Sequence, residues 1–159
     1  FSTGDWLKLV GKKIKDLNIS LGDEAFLLAE DSGIEIEHLN GEPGVMSARY
    51  GGDISTKERN ELVLSRLNGL DLTERNARYV CFIKVINFQN ETIEEFSGYL
   101  KGHISKVPFD GEGFGYDPIF IPLGYNMTIS KLGNELKNNI SHRSAATKKM
   151  ISKIFNYER

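Results

Sequence analysis

Residues 25–33, AFLLAEDSG, are a short and almost wholly apolar run that ends in two carboxylates, a serine and a glycine. An apolar run of this length, bounded by polar turn residues, reads as a buried strand whose end emerges at a sheet edge, where open α/β sheets place their ligands. Successive side chains of a strand point to opposite faces, so Glu30 and Asp31 cannot both look into one cleft. Asp31 is the expected worker, because Ser32 and Gly33 let the backbone turn beside it and leave its carboxylate at a mouth. Carboxylates of this kind suit Mg2+, which keeps most of its waters and takes one or two of them plus substrate phosphates. Asp-Ser-Gly equally suits a plain turn.

The residues that follow weigh toward function. Ile34 and Ile36 alternate with Glu35 and Glu37 as in a half-buried strand, and then comes the loop NGEPGVMSARYGG, residues 40–52. Five of its residues are glycine or proline, which argues against a helix or a regular strand. It nevertheless carries Ser47, Arg49 and Tyr50, side chains able to hold an anion or a partner surface. A loop this long inside a compact domain is usually functional or disordered.

A chain of 159 residues, 40% apolar and 26% charged, suits a single domain over residues 1–159 with a sizeable core. The net charge of −2 gives no basic field to draw it to nucleic acid or anionic lipid. Neither a signal peptide nor a transmembrane run is visible, and Cys81 stands alone inside an apolar run. The expectation is a cytoplasmic protein with a buried spectator thiol and neither nucleic-acid nor membrane partners. The chain opens at Phe1 without an initiator methionine, from which a cut or unrecovered N-terminus is expected.

Residues 5–18 place Trp6, Leu9, Val10, Ile14 and Leu17 on one face of a helix, with lysines mostly on the wet side. Ser55-Thr56-Lys57-Glu58 is a capping box announcing a helix to about Leu67. Residues 77–88 and 92–100 read as two strands, the first apolar on both faces and so in the middle of the sheet. Ser97-Gly98 suggests a bulge or a close backbone approach in the second, and residues 103–107 a short further strand.

Two more stretches carry chemistry. In FDGEGFGYDPIF, residues 109–120, Gly113 and Gly115 remove bulk on both sides of Phe114 and leave a ring face open for a planar ligand. The same ring could anchor a floppy loop. Asp117 precedes Pro118, which holds it extended. In KNNISHR, residues 137–143, Ser141 suits the N-cap of a last helix with Thr147, Met150, Ile151, Ile154 and Phe155 on its apolar face. His142 and Arg143 then sit in a first turn, where positive charge calls for a bound anion, a carbonyl oxygen or solvent.

Together these three stretches resemble the Ham1 or inosine triphosphatase family. AEDSGIEIEHLNGEPGVMSARYGG is similar to that family's D-D-S-G strand end and P-G-x-x-S-A-R-Y loop, GFGYDPIF to its G-F-G-Y-D-P segment, and ELKNNISHR to its E-x-K-N-x-x-S-H-R signature. The resemblance implies an α/β fold, with a mixed twisted central sheet flanked by helices and a cleft between two lobes. It implies hydrolysis of ITP, dITP and XTP to the monophosphate and pyrophosphate by a Mg2+-dependent homodimer. Asp31 would then be the base or metal ligand, supported by Glu30. Ser32 would touch the substrate, Phe114, Gly115, Tyr116 and Asp117 would hold purine and sugar, and Lys137, His142 and Arg143 would read the base. The family's opening strand with its T-G-N-x-x-K phosphate loop is not legible, and residues 5–18 lack the Glu-Asn pair of its E-N-A-x-x-K helix. A catalytically silent nucleotide-binding or dimerising fragment, or a pyrophosphatase with another base preference, remain the alternatives.

Overall fold

The computed structural model of the chain describes residues 26–87, 90, 92–109 and 111–154. The helix expected over residues 5–18, Phe155 and most of the turn at 88–91 lie outside the described residues.

The quoted run begins β1, Phe26–Ile36, which continues straight through Asp31, Ser32 and Gly33. This corrects the expected strand end. Gly33 is demanded by packing, since a Cβ there would lie 2.4 Å from the Gly44 carbonyl oxygen of the neighbouring β2, Pro43–Gly44. Phe26 and Leu28 are exposed, so the strand is half-buried where a fully buried one was expected. The capping box forms as read: Ser55 and Glu58 satisfy each other's backbone at the start of α1, Thr56–Arg66. β3, Asn76–Asn87, lies central in a sheet of order β2-β1-β3-β4-β5, as its two apolar faces require. β4, Ile93–Ile104, runs unbroken through the residues expected to start a separate strand, and the further strand is β5, Phe120–Pro122. Among the described residues the strand pairings are all antiparallel, whereas the expectation was a mixed sheet. Helices flank it, as an α/β fold requires: α2, Ile129–Leu132, α3, Asn134–Ile140, and α4, His142–Ile154.

Period-two alternation and the β1–β3 register put Glu30, Ser32, Ile34, Tyr79, Cys81 and Ile83 on one face, and Asp31, Glu35, Arg78, Phe82 and Lys84 on the other. The first face carries both core clusters. One gathers Ile34, Ile36, Val63, Leu67, Tyr79, Ile104 and Phe120 against α1, and the other gathers Cys81, Ile83, Val85 and Phe96 against Ala146 of α4. Gly98 answers the choice left open above with close approach, for a Cβ would meet the His142 carbonyl oxygen at 2.0 Å and the Ala146 nitrogen at 2.5 Å. Only a glycine lets α4 bring its first turn onto the sheet. Arg75, 2% exposed, donates to the carbonyls of Leu67, Ile104 and Ser105 and so ties the end of α1 to the end of β4.

Candidate functional site

Where the two core clusters meet, between Tyr79 and Cys81, the sheet face opens into a hollow of about 400 Å³. Ser32, Phe114, Gly115, Tyr116, Asp117, Lys137, His142 and Arg143 all line it, so three separated stretches converge as expected. Asp31 does not. Its register partner is Phe82, on the face away from Tyr79, because the strand does not turn at Ser32. The carboxylate on the hollow's side of β1 is that of Glu30. A larger hollow, about 610 Å³ between Glu37, Asn40, Arg78, Lys101 and Leu123, gathers none of these residues.

Glycines make the aromatic turn. Gly113 and Gly115 have φ of +111° and +63°, and a Cβ on Gly113 would strike the Asp117 carboxylate at 2.4 Å. The Phe114 ring between them is 67% exposed. Lys137 Nζ lies 3.9 Å from the ring centroid, a cation–π contact worth about 0.5–2 kcal/mol. Asp117, 1% exposed, accepts from the Phe114 N–H at 2.8 Å, from the Tyr79 hydroxyl at 3.2 Å and from the Lys137 ammonium. It therefore fixes both the turn and the cation. The Tyr116 hydroxyl donates to the Ser47 carbonyl at 2.8 Å, joining this turn to the loop of residues 40–52. Ser47 and Tyr50 of that loop are engaged internally, Ser47 with Ile34 and Gly44 and Tyr50 with Glu42 and Arg66.

At the other wall, the Ser141 hydroxyl accepts from the Ser144 N–H at 3.1 Å and caps α4. His142 stacks on Tyr79 at 4.8 Å and 7°, and its Nδ1 is buried without a partner among the described residues. Arg143 Nη2 lies 3.3 Å from each Glu30 carboxylate oxygen, so a side chain from β1 supplies the compensating charge at the helix start. Burial works to raise the Glu30 pKa, but the Ser32 hydroxyl and the Arg143 guanidinium outweigh it and hold it below the usual range. Burial pushes the Cys81 thiol up to about 11, consistent with a spectator.

Burial, and then the adjacent Arg143, lower the His142 pKa to about 4. An unfolded histidine titrates near 6.5, so between these values the unfolded chain binds more protons and folding stability falls as pH drops. His142→Gln should therefore shrink the stability difference between pH 7 and pH 4.5 by roughly 2–3 kcal/mol. Urea unfolding at both pH values reads this, and an unchanged difference would mean that His142 is not held neutral.

Among the described residues no three His, Cys, Asp or Glu side chains are placed to hold a metal ion. A hard cation that keeps its waters and takes phosphate oxygens needs only one or two carboxylates, and an Asp31 carboxylate suits it. Glu30 suits it less, being already held by Arg143 and Ser32. Asn60 and Tyr79 also line the hollow, and neither was expected there. For Asn60 the sequence does hold a faint signal, since it falls on the inward face of α1 with Val63 and Leu67.

Residues 7–153 match a family model described as the Ham1 family. A dITP/XTP pyrophosphatase from Methylacidiphilum infernorum is 38% identical over 139 residues, which cover 87% of this chain and 68% of that protein. One from Bacillus subtilis is 42% identical over 125 residues, covering 78% of this chain and 63% of that protein. The solved structure of the Staphylococcus aureus Ham1 protein superposes with a TM-score of 0.78 at 34% identity, covering 85% of this chain and 69% of that one. The chain spans about two thirds of the length of these curated relatives.

Proposed function

The chain belongs to the Ham1 family, and from that premise we propose that it is a nucleoside triphosphate pyrophosphatase that hydrolyses ITP, dITP and XTP to the monophosphate and pyrophosphate. The observation that carries the reading is the hollow itself, where the open Phe114 ring, the Asp117-anchored Lys137 and the Arg143 guanidinium converge. A purine stacked on such a ring gains about 1–3 kcal/mol whatever its substituents. Selectivity must come from the polar groups. Inosine and xanthosine carry an oxygen at C6 where adenosine carries an amino group, so donors on Lys137 and Arg143 pair with the first and face another donor in the second. Each donor left buried and unpaired costs roughly 1–3 kcal/mol. Ser32, which lines the hollow from β1, would touch the sugar or first phosphate.

Hydrolysis needs no covalent intermediate, only a positioned water and a base. Asp31 is the proposed base. A divalent cation, Mg2+ in this reading, would be held by Asp31 with Glu30 in support, and would neutralise phosphate charge and acidify water. Dimerisation belongs to the same reading and rests on the resemblance, and a cytoplasmic setting is supported by the lone buried thiol of Cys81.

Pyrophosphate release from ITP, dITP and XTP with Mg2+, compared with ATP and pyrimidine triphosphates, tests the activity. Arg143→Ala should narrow the ITP-over-ATP ratio by about tenfold, and an unchanged ratio would place base reading elsewhere. Retained purine binding with no turnover would instead describe a silent nucleotide-binding protein, and a pyrimidine preference a different pyrophosphatase.

A further inference from the structure

We infer that Asn60 is a positioning residue for base recognition, acting by holding the Gly115 carbonyl and so fixing the turn that carries Phe114. The inference rests on the purine-binding reading of the hollow and adds to it a residue from the wall opposite α4. Asn60 lies on the inward face of α1 and is 4% exposed, one turn before Val63 and two before Leu67, both fully buried. An amide in that row is costly unless paired, and an apolar side chain there would extend the core. Its Nδ2 donates to the Gly115 carbonyl at 3.1 Å, across 55 residues of chain. Its Oδ1 is buried without a partner among the described residues.

What it holds explains the cost. Gly115 has φ of +63° and a Cβ there would touch nothing within 4 Å, so side-chain packing does little to restrain this peptide. Three bonds hold this turn: the Asp117 carboxylate takes the Phe114 N–H, the Asp117 N–H donates to the Phe114 carbonyl at 3.2 Å, and Asn60 takes the Gly115 carbonyl. The Phe114 ring hangs between them. With the Asn60 donor gone, the Gly115–Tyr116 peptide is released, the turn is no longer tied to α1, and the ring leaves the plane from which Lys137 and Arg143 can reach the edge of a stacked purine. Stacking tolerates such movement and hydrogen bonding does not. The loss should therefore fall on selectivity.

The test uses binding of IMP and AMP by calorimetry to the unmodified protein, Asn60→Ala and Asn60→Asp, the last keeping the shape but not the donor, with thermal unfolding of each. Both variants should bind IMP about tenfold more weakly with AMP changed less than about twofold, so that the preference collapses. Asn60→Gln, which restores a donor on a longer arm, should recover part of it. Amide hydrogen exchange over residues 113–116 should quicken in the variants, a readout that needs no ligand and serves also where a variant is less stable. Preserved IMP preference in both variants, an equal loss for IMP and AMP, or unchanged exchange in this turn would overturn the inference while leaving the functional reading intact. No IMP preference in the unmodified protein would sink the functional reading itself, and this inference with it.

Discussion

Asp31→Asn should lower pyrophosphate release from ITP by about a thousandfold, the scale of a lost general base, while IMP binding stays within about twofold. The expectation has to meet the fact that Asp31 is turned away from the hollow that holds Phe114 and Arg143. The resolution lies in the edge of β1. β2 pairs with it only at Ile34 and Glu35, so from Phe26 to Gly33 the described structure places no strand along that edge. A nucleotide with its base in the hollow would run its phosphates past Ser32 and over this edge. Glu30 and Asp31 flank the edge from its two faces. Only Asp31 is left without a cation to answer among the contacts described, since Glu30 is held by Arg143. Glu30→Gln should therefore weaken base selectivity, by freeing Arg143, more than it slows turnover. A near-normal rate in Asp31→Asn with a collapsed rate in Glu30→Gln would move the chemistry to the inner face and remove Asp31 from its role.

Which parts of this site the sequence reveals follows from the range of the interactions that build it. The Ser55–Glu58 capping box and the Ser141 cap are closed within three residues, and both are plain in the sequence. The glycines around Phe114 are equally plain, because a positive φ leaves its mark at the residue itself. Gly33 misleads for the opposite reason: nothing local distinguishes a glycine that turns a chain from one that admits a neighbour, and it admits one distant in sequence, as does Gly98, where close approach was one of the two readings. The strand that Gly33 was expected to end carries on, and with it the assignment of faces to Glu30 and Asp31 changes. The partner of Glu30 lies 113 residues away, beyond any periodicity. β5 is three residues long and has no room for an alternating pattern, so it passes as loop.

The second large effect is expected at Asp117 and Lys137, whose side chains are 2% and 10% exposed. Asp117→Ala should cost about 3–5 kcal/mol of stability, because it leaves an ammonium group buried without its counter-charge. Two more donors, the Phe114 N–H and the Tyr79 hydroxyl, lose their acceptor at the same time. A fold lost for that reason would say nothing about the site, so the informative variant is the double one, Asp117→Leu with Lys137→Met. Replacing both charges by apolar groups of similar size removes the uncompensated ion, and a buried pair treated in this way is often neutral or stabilising. The double variant should therefore regain the part of the stability that Asp117→Ala loses to the unpaired ammonium, while the Phe114 N–H and the Tyr79 hydroxyl stay without their acceptor. It should not regain IMP binding, since neither the anchor of the Phe114 turn nor the cation beside its ring is restored. Urea denaturation and IMP titration on the same samples separate the two effects. Recovery of binding along with stability would mean that the ion pair serves the core alone and that the purine is recognised without it.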